Sequence, residues 1–336
     1  ASSWESVVAR PLQSSPEPDM PLMITEAQVE RLLDPDALIA AVAQALKQLS
    51  AGRVNQPLRA VMPFGPSPDI DPSQPPGLLF LKPAQIGDAL ATKLITLVPD
   101  NAARGQPTLM ATVLLMAPDS GAVLAVIEAS ALTALRTAAA TAVAVDALAR
   151  PDASVVAFLG SGVLARSHAR LLKRVRHIRD IRVWSRDPGN VQRCASDIGG
   201  IPCQSAEQAV RGAHIVCTLS NAVEPILAGR WLLPDAMVAA VGAPRSSWRE
   251  LDDEAMRHPV IADQREAALK ESGDVILSGA SVYAELGEIL LKRVPRPAAG
   301  QPVIFKSLGL AIEDAVAAQL VYQAALREPG SGGSTP

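Results

Sequence analysis

Val155-Val156-Ala157-Phe158-Leu159-Gly160-Ser161-Gly162-Val163-Leu164-Ala165 is the stretch on which the fold turns. Five apolar residues in a row read as a short buried strand, and the glycines after it open a helix. Gly160 permits the tight turn, Gly162 lets the backbone approach a pyrophosphate, and small Ala165 lets helix and strand pack closely. Phosphates would rest on the helix N-terminus, where free N–H groups and the dipole favour negative charge. A lone G-x-G-x-x-[GA] is a weak signal. Set between a strand and a helix, inside a βαβ unit of the right length, it predicts a Rossmann unit beginning near Ser154.

Downstream, strands are expected at 154–159, 181–184, 215–219, 237–241 and 260–262, with helical segments between them. That alternation implies a parallel sheet with helices on both faces. The end of the second strand, Trp184-Ser185-Arg186-Asp187, bears on the choice of cofactor. An acidic residue ending that strand would accept from a ribose 2′-hydroxyl and repel a 2′-phosphate. Ser185 and Arg186 suit the phosphate instead, so NADP(H) is expected over NAD(H), with Asp187 the feature that argues the other way.

Upstream, a helix is expected over 26–49, a Pro-rich loop over Pro63–Pro76, and strands at 78–81, 91–98, 111–116 and 123–127. An Ala-rich helix follows over 129–149 and stops before Pro151. A last helix spans 310–326. Residues 1–20 and 329–336 are rich in Ser, Pro, Gly or charge without periodicity and are expected to be mobile.

Composition narrows the function classes. The 336 residues leave room for two domains, and 49% are apolar, which excludes wholesale disorder. A net charge of -3 and only 3% aromatic residues argue against a nucleic-acid or membrane-surface partner. Cys194, Cys203 and Cys217 show neither metal-type spacing nor an even disulfide framework, and no metal site is expected. Ala1-Ser2-Ser3-Trp4-Glu5 lacks a basic segment followed by an apolar one, and Arg136 and Asp146 interrupt the most apolar helix. A cytoplasmic protein is the expectation.

Two cations stand out. Lys93 shares a strand face with Ile95 and Leu97, so if that face is buried its ammonium needs a partner or a substrate anion; otherwise it snorkels to water. Arg136 lies in a small-residue, apolar helix, where it either clamps an anion or forms a structural ion pair. With Lys82 and Arg59, these cations suggest an anionic small substrate. His168 reads as a packing or solvent-side residue. Glu285 and Glu288 read equally as a carboxylate pair or as a solvated helix face.

These motifs resemble the ornithine cyclodeaminase/mu-crystallin family from about Thr25 to Leu326. The segments that carry the resemblance are Thr92–Thr96, Leu132–Ala139, Gly160–Ala165 and Phe305–Gly309. Val241–Arg245, Arg249–Asp253 and Glu271–Ala280 look most like the mu-crystallin branch. The resemblance implies an α/β fold, a Rossmann domain (136–307) plus a discontinuous α+β substrate and dimerisation domain (21–135, completed by 308–328). It implies a homodimer with the active site between the domains.

By position, Arg59, Lys93 and Arg136 match family residues around the substrate carboxylate, the reacting centre and the cofactor. Arg59 and Lys93 are the implied catalytic pair. Lys82, Arg245 and Glu271 join them at the substrate. Thr108, Gly160, Gly162, Val163, Leu164, Ser185, Arg186, Asp187, Thr218, Val241 and Ser307 fall at cofactor positions with Arg136. The implied reaction is NADPH-dependent reduction of a cyclic ketimine, Δ1-pyrroline-2-carboxylate or Δ1-piperideine-2-carboxylate, to L-proline or L-pipecolate. The alternatives are a cyclodeaminase-like lyase that recycles NAD and a non-catalytic NADPH-loaded binding protein. Three departures bear on that choice: Pro244 replaces the cyclodeaminase aspartate, Lys82 replaces a methionine, and Phe80 replaces a pocket glutamate.

Overall fold

The structure, a computed structural model, describes residues 20–65, 77–243 and 245–328. The expected mobile ends, most of the Pro-rich loop and Pro244 therefore lie outside the described residues.

The fold is α/β and is built on two sheets. The first contains β1 (Leu22–Ile24), β2 (Ala60–Phe64), β3 (Gly77–Ile86), β4 (Ala89–Leu97), β5 (Leu109–Met116) and β6 (Val123–Glu128), in the order β1-β6-β5-β4-β3-β2. All neighbours run antiparallel except β1 and β6. Alternation along the strands buries Ala91, Lys93, Val113, Leu115 and Ile127 on one face. On that face lies α10 (Ala311–Leu326), the last helix among the described residues, packed against β3, β4 and β5.

The helix expected over 26–49 is two helices, α1 (Glu26–Leu32) and α2 (Pro35–Ser50). Leu33-Asp34-Pro35 breaks it: proline has no amide hydrogen to continue the helix, and the Asp34 carboxylate accepts from Ala37 N at 2.8 Å to cap the next one. Pro63 and Phe64 belong to β2, not to a loop. Proline is tolerated there because β2 is an edge strand.

The second sheet is parallel throughout: β7 (Val155–Leu159), β8 (Asp180–Trp184), β9 (Ile201–Pro202), β10 (Ile215–Thr218), β11 (Met237–Ala240), β12 (Val260–Ala262), β13 (Val282–Glu285) and β14 (Val303–Lys306). Its order, β13-β12-β14-β11-β10-β7-β8-β9, reverses direction at β7. A crevice at the carboxyl end of β7 and β10 is the place where such sheets bind nucleotides. From β7 the chain enters α4 (Val163–Val175), and the short helices α6 (Ala206–Val210), α7 (Arg265–Glu271), α8 (Gly273–Ser278) and α9 (Leu286–Leu290) lie between later strands.

Joining the two halves is α3 (Ser130–Leu148), which packs against α2, α4 and α10. Length and hydropathy alone would let α3 cross a membrane, but here it is buried inside protein. Residue 136, where the nucleotide-binding half was expected to begin, lies within this continuous helix.

Candidate active site

Where α10 begins, Glu313 and Asp314 sit in its first turn, favourably placed toward the helix dipole. Both are buried against the first sheet. Lys93 donates to Asp314 Oδ1 at 2.6 Å and to Thr133 Oγ1 at 3.3 Å. Lys82, its partner in register on β3, lies 3.4 Å from Asp314 Oδ2 and donates to Gly309 O at 2.9 Å. From α3, Arg136 donates to Glu313 Oε2 at 2.8 Å, and its Nε is 2.8 Å from Asp314 Oδ1 without hydrogen-bond alignment. Three cations thus meet two carboxylates in a closed space.

Burial sets the protonation of this cluster. It lowers the Lys93 ammonium well below the ordinary lysine range, Arg136 adding to the effect and Asp314 opposing it. Lys82 is lowered for the same first reason. Asp314 resists burial: Arg136, Lys93 and Lys82 together hold it below the usual carboxylate range. Glu313 does not resist, and burial pushes it up to about 7 despite Arg136.

A cavity of 360 Å³ opens beside the cluster. Arg59, Lys82, Arg136 and Arg245 supply its charge, while Phe80, Ile95, Leu97, Leu109 and Trp248 supply apolar wall. Thr108, Leu164, Val241 and Ser307 also line it. Arg59 Nε donates to Glu271 Oε2 at 2.8 Å, and the Arg245 guanidinium stacks 4.5 Å from the centre of the Trp248 ring. Lys93 is fully enclosed and is not on the wall. Its expected need for a partner is met by Asp314, and it does not snorkel to water.

A second cavity, of 430 Å³, contains Gly160, Gly162, Ser185, Arg186 and Asp187, and Asn221 lines both. Gly160 has φ +138°, and a Cβ there would strike Leu219 O. Gly162 caps α4 with no side-chain hydrogen bond, leaving the first-turn N–H groups for an anion, and a Cβ at Gly162 would meet only open space. The loop therefore fits a dinucleotide pyrophosphate. Asp187 is tied to Asn190, accepting from its backbone N and its Nδ2 at 3.0 Å each, as the cap of α5 (Pro188–Ile198). Val163 is 65% exposed and lines neither cavity.

Thr218 is fully buried, and its hydroxyl donates to Glu250 Oε2 at 2.7 Å. Glu250 also accepts from Ser220, and burial raises its pKa. Beside it, Lys306 donates to Asp274 Oδ2 at 2.9 Å and to Gly242 O at 2.7 Å. This network holds the loop after β11. Asp263 does the same for the loop after β14, accepting from Leu308 N at 2.6 Å and Gly309 N at 3.0 Å. Glu285 and Glu288 are neither a catalytic pair nor a solvated face: Glu285 accepts from Ser50 Oγ, and Glu288 pairs with Arg265. His168 is a packing residue between Thr141 and Leu164 O, and burial lowers it to about 4.

Sequence reasoning missed Glu313, Asp314, Glu250, Asp263, Asp274 and Asn221. The first two carried a usable signal, since adjacent carboxylates in an apolar helix are as anomalous as Arg136.

The ornithine cyclodeaminase/mu-crystallin family model matches residues 19–328. The chain belongs to this family. It is 44% identical over 276 residues to the ketimine reductase mu-crystallin of Mus musculus, covering 81% of this chain and 85% of that protein. Its structure is similar to Thermococcus litoralis Δ1-pyrroline-2-carboxylate reductase in complex with NADH and L-proline (TM-score 0.82, 32% identity, 91% and 97% of the two chains). It is also similar to an archaeal alanine dehydrogenase dimer with bound NAD (TM-score 0.83, 29% identity, 91% and 96% covered).

The family's shared fold leaves the acid chemistry of this cluster open to measurement. Glu313 holds its proton more tightly folded than unfolded, with a pKa of about 7 against 4.5. Its contribution to stability is therefore complete below pH 4.5 and is lost as pH rises through 7. The Tm of the wild type, relative to Glu313→Gln, is expected to fall across that window; parallel Tm curves would contradict the assignment.

Proposed function

We propose that this chain is an NAD(P)H-dependent oxidoreductase of C=N bonds that reduces Δ1-pyrroline-2-carboxylate or Δ1-piperideine-2-carboxylate to L-proline or L-pipecolate, preferring NADPH. The observation that carries the proposal is a cation-lined cavity that neighbours the glycine-loop cavity, the two sharing Asn221 as a lining residue. A cyclic α-imino acid is small and anionic, with an apolar ring, which matches the first cavity's mixture of cations and hydrophobes. Names borne by the relatives, ketimine reductase and Δ1-pyrroline-2-carboxylate reductase, support the same chemistry.

When bound, the reduced nicotinamide would supply a hydride. The chain's own residues do the rest. Arg59, a planar fork half-held by Glu271, would take the substrate carboxylate in exchange. Phe80, Ile95 and Leu97 exclude water from the reacting bond, and Val241 and Ser307 fix the side from which it is approached. A cyclodeaminase would need a carboxylate at 244, where this sequence has proline.

The NADPH preference rests on Arg186. Among the described residues it pairs with no carboxylate, and it lines the glycine-loop cavity. Asp187, the residue that argued for NAD, is occupied as a helix cap.

A homodimer and a two-domain division, 21–135 with 308–328 against 136–307, belong to the same proposal. The face of the first sheet opposite α10 presents Leu79, Leu81, Leu90, Leu94, Leu114 and Met116, all only half-buried. An apolar sheet face of this extent fits a second copy of the chain. The alanine dehydrogenase relative, a dimer, supports that reading.

Two experiments test these assignments. Each cyclic ketimine should drive NADPH oxidation faster than NADH oxidation, and Arg186→Ala should raise the KM for NADPH about tenfold while sparing NADH. No oxidation with either ring would sink the reductase. In analytical ultracentrifugation the wild type should sediment as two chains and a Leu81→Lys/Leu94→Lys variant as one; a monomeric wild type would refute the dimer.

A further inference from the structure

We infer that Lys82, and not Lys93, is the acid that protonates the imine nitrogen, with Asp314 positioning the two lysines. This rests on the reductase reading above. Lys82 and Lys93 are directly opposed in register on β3 and β4, on the same inward face. Like charges so placed repel, and Asp314 separates them with one oxygen toward each. The two ammonium groups are not equivalent. Lys93 is fully enclosed, with two of its donors on Asp314 and Thr133, and it does not line the cavity. Lys82 lies on the cavity wall with Arg59 and Arg136.

An ammonium has three hydrogens. In Lys82 one goes to Gly309 O and a second is directed by the charge of Asp314, which leaves the third for a ligand in the cavity. The charges that act on Lys82 are Arg136 from α3, Arg59 from the segment before β2, and Asp314 and Glu313 from α10, and Lys93 faces it in register from β4. Burial first, then Arg136 and Arg59, favour release of the proton, while Asp314 and Glu313 oppose it. Lys93 and Arg136 are thus electrostatic neighbours of the donor, and Asp314 is a positioning residue.

The proton step balances as follows. As the imine carbon gains its hydride from the reduced dinucleotide, the C=N π electrons become a lone pair on nitrogen. That lone pair takes a proton from the Lys82 ammonium, forming the N–H bond and breaking one at Nζ. Lys82 is left as a neutral amine and recovers its proton from water through the cavity. At alkaline pH Lys82 enters the cycle already deprotonated, so kcat falls, and the lowered pKa brings that limb to lower pH than an ordinary lysine would.

Lys82→Arg separates a proton donor from a mere positive charge, because a guanidinium keeps its charge and does not deprotonate in this range. In the full-length protein, Lys82→Arg should still bind L-proline by calorimetry, showing a folded site. Its kcat for ketimine reduction should fall roughly 100-fold or more, and the alkaline limb should vanish. With 13C-labelled lysine, the NMR resonance missing from Lys82→Arg should titrate below the ordinary lysine range and shift when L-proline is added without dinucleotide. A Lys82→Arg enzyme with wild-type kcat and an intact alkaline limb would overturn the inference and leave the reductase standing. A wild type inactive on both rings would remove the reductase reading and this one with it.

Discussion

Asp314 is the residue on which the site depends. Its carboxylate faces Lys93 of β4, Lys82 of β3 and Arg136 of α3, so one anion serves cations from three elements. Burying an ammonium or guanidinium without such a partner costs several kcal/mol, and stripping a buried pair of one member costs about 3–5 kcal/mol. The first sheet therefore cannot bury its cation-bearing face until α10, the last helix among the described residues, arrives. That requirement explains why the chain returns, after completing the nucleotide sheet, to pack α10 on β3, β4 and β5. The discontinuous core is a consequence of charge neutralisation as much as of apolar packing.

The same helix links the cation cluster to the nucleotide sheet. Gly309, with φ +73°, allows the turn into α10, and a Cβ there would strike the Arg136 guanidinium. Asp263 holds that turn from the nucleotide sheet through Leu308 N and Gly309 N. A movement of β14 or β12 would thus reach Lys82 through Gly309 O within a few bonds. On the other side, the Glu250 and Lys306–Asp274 network fixes the loop that carries Val241 and Gly242. Buried polar groups thus anchor two of the loops that frame the cavity, as positioning of a small substrate demands.

Much of the nucleotide half was legible because its signals are local. The glycine loop and the five apolar runs at 154–262 lie within one or two residues of the observed strands. Short, exposed β9 and β13, with its polar end, carry too little apolar pattern to be seen, whereas β14 is as apolar as β12 and was missed. Pro35 divides a pattern that periodicity alone joins into one helix. Within the site, Lys93 and Arg136 were legible as charges in apolar settings. Their partners were not, since Asp314 is 221 residues from Lys93 and no sequence rule links them. Strand alternation put Lys93 on the inward face but could not say that Lys82, and not Lys93, reaches the cavity. Nor could position reveal that Glu250 occupies the Thr218 hydroxyl or that Asn190 occupies Asp187.

The central claim is that a small imino acid sits between the Arg59 and Lys82 side chains, at the end of the first cavity nearest α10. A crystal structure with NADP+ and L-proline tests it most directly. The account predicts the proline carboxylate on the Arg59 guanidinium, the ring nitrogen within hydrogen-bond distance of Lys82 Nζ, and Lys93 still closed behind Asp314. Proline bound elsewhere, or its nitrogen on Lys93 with Lys82 turned away, would contradict it.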